Sequence, residues 1–92
     1  MMYVADAALE PEQYKQLFPT VALGLGSIGL GRVALIQCLV QNVRYRDDGT
    51  NPTATTGVRI HAGESIWYTG NLQTIRLIEE ASGAEVNVQI YK

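Results

Sequence analysis

The sequence predicts an all-β protein, a small antiparallel β-sandwich of about six strands, and three observations carry that reading. From Gln41 to Lys92, short runs rich in Val, Ile, Tyr and Thr are separated by breaks at Gly, Asp-Gly or Asn-Pro. The breaks recur at the roughly 8–12-residue spacing of sandwiches and barrels. The last run alternates most cleanly, with Val86, Val88 and Ile90 on one side and Asn87, Gln89 and Tyr91 on the other.

Taken in order, residues 1–8 carry no cap or period and are expected to form an extended arm. Glu10 and Pro11 open a short helix, since proline suits the first helical position and acidic groups suit its positive end. Tyr14, Leu17 and Phe18 share one face at i, i+3, i+4 spacing, and Pro19 stops the helix. Residues 1–19 thus read as an N-terminal arm with one short helix, and residues 20–92 as the β-sandwich domain.

Residues 20–25 read as a strand that enters the glycine-rich run GLGSIGLG. Residues 32–41 are the most apolar segment, and so short a run fits helix or strand. The β-type continuation NVRYR favours strand, either one long strand or two joined at a bulge near Gln41 and Asn42, crossing both faces of the sandwich. In the loop DDGTNP the aspartates cap their own turn, Gly49 supplies positive φ, and Pro52 forbids helix at Asn51. Val58, Ile60 and Ala62 alternate with Arg59 and His61, as in a half-buried strand. A turn at residues 62–65 leads into Ile66, Trp67 and Tyr68, and Gly70-Asn71 turns again. Residues 72–80 fit strand or helix, with Ile75 and Leu77 against Arg76 favouring strand, and Ser82-Gly83 ends them.

A domain of 92 residues buries only roughly 60–65% of its extended-chain surface, so its core alone is marginal. Cys38 is the only cysteine and His61 the only histidine, which leaves neither an internal disulfide nor a four-ligand zinc site as a staple. Support from partner subunits is the expected alternative. Hydrophobic residues make up 47% of the chain and charged residues 17%, with net charge −2. A free monomer of this size carries a more charged surface, so neighbours are expected to cover part of it. The seven Lys and Arg are scattered, with Arg44 and Arg46 the only close pair, so no phosphate-tracking face and no nucleic-acid partner are expected. No run nears the ~20 apolar residues that span a bilayer, and the start lacks the basic and apolar blocks of a secretion signal. With one unpaired cysteine, these points favour a cytosol or a particle assembled there.

Candidate chemistry is sparse. Gly24, Gly26 and Gly29 spell GxGxxG, with Asp47 at roughly the distance of a ribose-binding acid. The chain is too short for a dinucleotide fold, no β-α alternation follows, and Gly31 would weaken the helix start. A flexible β-connection is the better reading. His61 falls on the polar face of a strand, and Ser65 lies across a turn from it, so no nucleophile and base are paired by spacing. Asp47 and Asp48 lack the ligand spacing of a calcium loop and serve better as turn caps. Trp67 and Tyr68, with Tyr45 and Tyr91, could stack on a sugar or anchor an interface, since aromatics dominate contact energetics. Alternation puts one of Trp67 and Tyr68 inside and the other outside.

The segment QNVRYRDDGTNPTATTG, followed by AGESIWYTGNL, IRLIEEASGA and VNVQIYK, resembles a family of small tailed-bacteriophage virion structural proteins. Their shared pattern runs NVRYRxDGTxPTAxxG, AGE or AGD, an aromatic-Gly turn, a Leu/Ile-rich strand and an NVxxYK-like ending. The match spans residues 34–92 and rests on the order and spacing of its pieces. The resemblance implies a compact β-sandwich acting as a head decoration or cement subunit, with no enzymatic activity and no cofactor. It points to Asn42, Arg44, Asp47, Gly49, Gly57, Gly63 and Gly70 as framework positions, with Asp47 capping its loop and Arg44 pairing with it.

The expected function is that of a non-enzymatic virion structural protein, a capsid decoration or cement protein that binds and stabilises the major capsid lattice. A homotrimer suits the local three-fold positions of such a shell, and the expected location is the virion, assembled in the host cytoplasm. Tyr3, Val4, Tyr14 and Phe18 of the arm, with Trp67 and Tyr68, are the candidate interface residues. The alternatives are a glycan-binding or host-adhesion module built on Trp67, Tyr68 and the DDGTN loop, or a head-tail or tail accessory protein.

Overall fold

The structure, a computed structural model, describes residues 9–92; Tyr3 and Val4 lie outside the described residues. Eight strands form: β1 Pro11–Leu17, β2 Leu23–Gly24, β3 Val33–Leu39, β4 Val43–Arg46, β5 Val58–Ile60, β6 Ser65–Tyr68, β7 Arg76–Glu79 and β8 Glu85–Tyr91. They build two antiparallel four-stranded sheets, ordered β1-β8-β3-β6 and β2-β7-β4-β5. The first contains three seven-residue strands and is the long-strand sheet. In the second, the short-strand sheet, no strand exceeds four residues. The fold is the all-β sandwich that the alternation predicts, with eight strands in place of about six.

The extra strands have identifiable causes. Residues read as a short helix are β1, which pairs with β8 from Pro11↔Tyr91 to Leu17↔Val86. A helix this short has too few hydrogen bonds to offset its nucleation cost, whereas the free edge of β8 offers a complete ladder. The i, i+3, i+4 apolar spacing therefore misleads. Lys15 and Leu17 point inward, Tyr14 and Gln16 outward. A register shift between Pro11 and Gln13 frees Glu12, whose carboxylate accepts from Leu30 N at 3.0 Å and meets Lys92 Nζ at 3.4 Å. The second cause is the β-rich stretch of residues 32–46, read as one long strand or two joined at a bulge, which divides into β3 and β4 in different sheets.

Every link except β4–β5 carries the chain from one sheet to the other. Their inner faces meet in one core, where Ala34, Ile36, Cys38, Val86, Val88 and Ile90 oppose Val43, Ile60, Ile75 and Leu77. Leu25, Leu72 and Ala84 close its ends. The strand expected at residues 20–25 shortens to Leu23–Gly24. In β5 only Ile60 is buried; Val58 and Ala62, expected inward with it, are exposed.

The glycine-rich run is a loop between β2 and β3, and no helix follows it. Without a helix N-terminus its amides do not form the phosphate cradle of a dinucleotide site. Instead Lys15 Nζ donates to Leu25 O and Ser27 O, both at 2.6 Å, and Ile28 packs against the core. An inward-pointing lysine on β1 also discourages pairing of that edge with other strands.

Candidate functional site

The sandwich leaves each sheet with an outer face, and the two faces differ chemically. On the long-strand sheet, alternation sends Val33, Leu35, Gln37 and Leu39 of β3 outward opposite Asn87, Gln89 and Tyr91 of β8. Tyr14 and Gln16 flank them on β1, and Ser65 and Trp67 on β6. No strand covers this face among the described residues. Most of these side chains are nevertheless half-buried, because they pack on one another.

The contacts are specific. The rings of Trp67 and Tyr91 lie 5.7 Å apart, tilted by 40°. Tyr14 Oη donates to Asn87 Oδ1 at 2.8 Å, and Asn87 Nδ2 donates to Gln37 Oε1 at 3.1 Å. Gln89 Nε2 donates to Gln13 O at 2.9 Å. These groups line a shallow depression of about 370 Å³ bounded by Tyr14, Leu35, Gln37, Ser65, Asn87, Gln89 and Tyr91. Trp67 Nε1 is buried without an acceptor among the described residues, an arrangement that costs roughly 1–3 kcal/mol. The surface offers rings, aliphatic side chains and amides, which suits recognition by contact.

Among the interface candidates, Tyr14 and Trp67 come together on this face. Phe18 is exposed beyond the end of β1. Tyr68 does not present a surface ring: it is 7% exposed, paired with Ala34 and edge-on to Tyr45 at 6.0 Å. Its hydroxyl donates to Asp47 Oδ2 at 2.6 Å and to Asn71 O at 3.3 Å. Burial, and then the neighbouring Asp47 carboxylate, hold that hydroxyl above the usual phenol pKa range. The joint platform of Trp67, Tyr68 and the DDGTN loop is therefore not formed, because successive strand residues face opposite ways.

The framework positions tie loops to sheets. Asn42 Oδ1 accepts from Ala62 N at 2.9 Å, which holds the β5–β6 turn. Arg44 does not pair with Asp47: its Nε binds Glu80 Oε2 at 2.7 Å and its Nη1 donates to Gly57 O at 3.0 Å. Asp47 serves Tyr68, and Asp48 caps the loop instead by accepting from Thr50 N at 3.3 Å. Gly49 and Gly63 occupy the tips of their turns, at φ +86° and +85°. Gly57 has φ +142° and lies so close to Tyr45 O that a Cβ would sit 3.0 Å away. A Cβ at Gly70 would clash with the Tyr68 phenol.

Outside the long-strand face, His61 Nδ1 lies 3.6 Å from Glu64 Oε1 on an exposed turn and makes no hydrogen bond to Ser65. Cys38 is fully buried, and burial pushes its thiol up to about 11, where little thiolate forms. Among the described residues no cluster of His, Cys, Asp and Glu could hold a metal ion, and no helix is long and apolar enough to cross a membrane.

Sequence reasoning missed Leu35, Gln37, Asn87 and Gln89 as members of one surface. A signal was present: β3 is apolar at its inward positions and, apart from Gln37, at its outward ones too, unlike a strand whose outer face meets water. Compared with protein-family models, curated proteins and solved structures, the chain gives no match.

Proposed function

We propose that this chain is a non-enzymatic virion structural subunit of the head decoration or cement type. It docks through the outer face of its long-strand sheet and stabilises the major capsid lattice. The uncovered apolar and aromatic surface of β3, β6 and β8 is the observation that carries the reading. Half-buried rings and aliphatic groups gain free energy when a partner removes their remaining surface from water. Assembly as a homotrimer would multiply modest contacts into avidity. The sequence resemblance supplies the choice of lattice.

The test is co-sedimentation with expanded capsids from the particle that carries this protein. The wild-type chain should pellet with them and raise their melting temperature. Leu35→Lys, which places a charge in the centre of the face, should abolish both effects while the chain stays folded. Failure of the wild-type chain to bind capsids overturns the reading.

The proximity of Trp67 and Tyr91 to the amides of Gln37, Asn87 and Gln89 favours a second reading, a glycan-binding or host-adhesion module. Rings would stack on a sugar face while amides bind its hydroxyls. Binding on a glycan array without capsid binding selects this reading. Attachment to head-tail or tail proteins in place of capsids selects an accessory role through the same surface.

A further inference from the structure

The outer face of the short-strand sheet gathers arginines that the sequence scatters. Alternation places Arg44 opposite Arg59 across the β4–β5 ladder and Arg46 opposite Arg76 across β4–β7. These are four of the chain's seven basic residues, in a molecule of net charge −2. Neighbouring strands lie only about 4.8 Å apart, and like charges directly opposite repel, so such a face needs counter-charge.

The chain supplies part of it. Glu80 Oε2 meets Arg44 Nε at 2.7 Å and Arg59 Nε at 2.6 Å. Asp48 accepts from Arg46, with Nε to Oδ1 at 3.0 Å. Arg76 is exposed and has neither an ion-pair nor a hydrogen-bond partner among the described side chains. Ile78, half-buried, sits opposite Arg44 in the same face.

We propose that this face docks an acidic protein surface, whose carboxylates bind Arg76 and complete the neutralisation of its neighbours around an apolar contact at Ile78. A guanidinium fork matches a carboxylate in two parallel hydrogen bonds. Arginine is enriched at protein interfaces, and their buried centres are more apolar than their rims. A nucleic-acid backbone fits less well, because it is held by unopposed basic groups and would meet Glu80 and Asp48 within the patch. The contact lies on the opposite side of the sandwich from the long-strand face and does not depend on the virion reading.

The experiment titrates the intact chain with poly-L-glutamate, and separately with duplex DNA of equal charge, at low and raised salt. Poly-glutamate should bind at low salt, weaken as salt is raised, and exceed DNA in affinity. Arg76→Glu should weaken poly-glutamate binding by about tenfold or more, and Arg76→Gln by less. Arg32→Glu, the same charge change at an exposed site just before β3, should leave it within about twofold of wild type. Circular dichroism checks folding, and Arg76→Gln carries the comparison if Arg76→Glu unfolds. The proposal is overturned if Arg32→Glu weakens binding as much as Arg76→Glu, if DNA binds as tightly as poly-glutamate, or if poly-glutamate does not bind.

Discussion

The two sheets of the sandwich reach stability by different means. In the long-strand sheet, β8 is paired along its length with β1 on one side and β3 on the other. Its backbone ladders and inward Val and Ile side chains hold it together. The short-strand sheet has ladders of only two to four paired residues, and side chains do much of the tying. Glu80 clamps Arg44 and Arg59, Asn42 holds the β5–β6 turn, and Tyr68 reaches Asp47 at the far end. Short ladders leave more backbone to be positioned by loops, so polar side chains become structural there.

This contrast can be broken most sharply by cavities. Ile36→Ala, in the central strand β3, should cost about 4 kcal/mol, because its surroundings are pinned by ladders on both sides and cannot collapse. Ile60→Ala, on the edge strand β5, should cost about 2–3 kcal/mol, since a strand paired on one side can relax inward. Urea denaturation measures both, and equal losses would remove the claimed difference in rigidity.

A smaller effect tests the loop dependence of the short-strand sheet. Gly57→Ala should cost about 1–3 kcal/mol, as any side chain there combines unfavourable φ with close approach to Tyr45 O. A neutral result in thermal melting would mean that the loop gives way more readily than its packing implies.

The next test lies where the sheets join. Val40, between β3 and β4, has φ +73° and is 71% exposed, a conformation that β-branched residues rarely adopt. Relief of that backbone strain, less the entropy cost of glycine, predicts that Val40→Gly gains about 0.5–1 kcal/mol in a urea melt.

The smallest effect concerns charge. The hydrogen bond from Arg59, aided by Asn42 and Arg44, holds the Glu80 carboxyl below its ordinary value of 4.5. Its contribution is therefore present above that value and lost as pH falls from 4.5 toward the lower folded pKa. Glu80→Gln should lower the melting temperature near neutral pH and flatten its fall through that acidic window. An unchanged acid limb would show that Glu80 ties the short-strand sheet less than its geometry suggests.

Much of the long-strand sheet was legible because its strands obey a two-residue period. β8 alternates without exception, and each buried position falls where the pattern places it. The sheet change between β3 and β4 was also foreseeable from two β-rich runs meeting at Gln41 and Asn42. β1 was not legible: PEQYKQL has helical spacing, and only the open edge of β8 makes it a strand. The partner of Arg44 was equally hidden, since Glu80 is 36 residues away and Asp47 is closer in sequence.

The candidate surfaces divide the same way. Alternation alone sets Trp67 and Tyr68 on opposite faces, but the chain order does not say which faces water. That choice follows from Tyr68 pairing with Ala34 in the core. Local composition by itself determined that this protein is built of strands, where most turns fall and that Cys38 cannot form an internal disulfide. Tertiary structure alone decided that four separated arginines share a face and that apolar β3 positions meet Trp67 and Tyr91 outside the core. The physical reason is range: strand period and turn chemistry act between near neighbours, whereas strand order and register bring distant residues together.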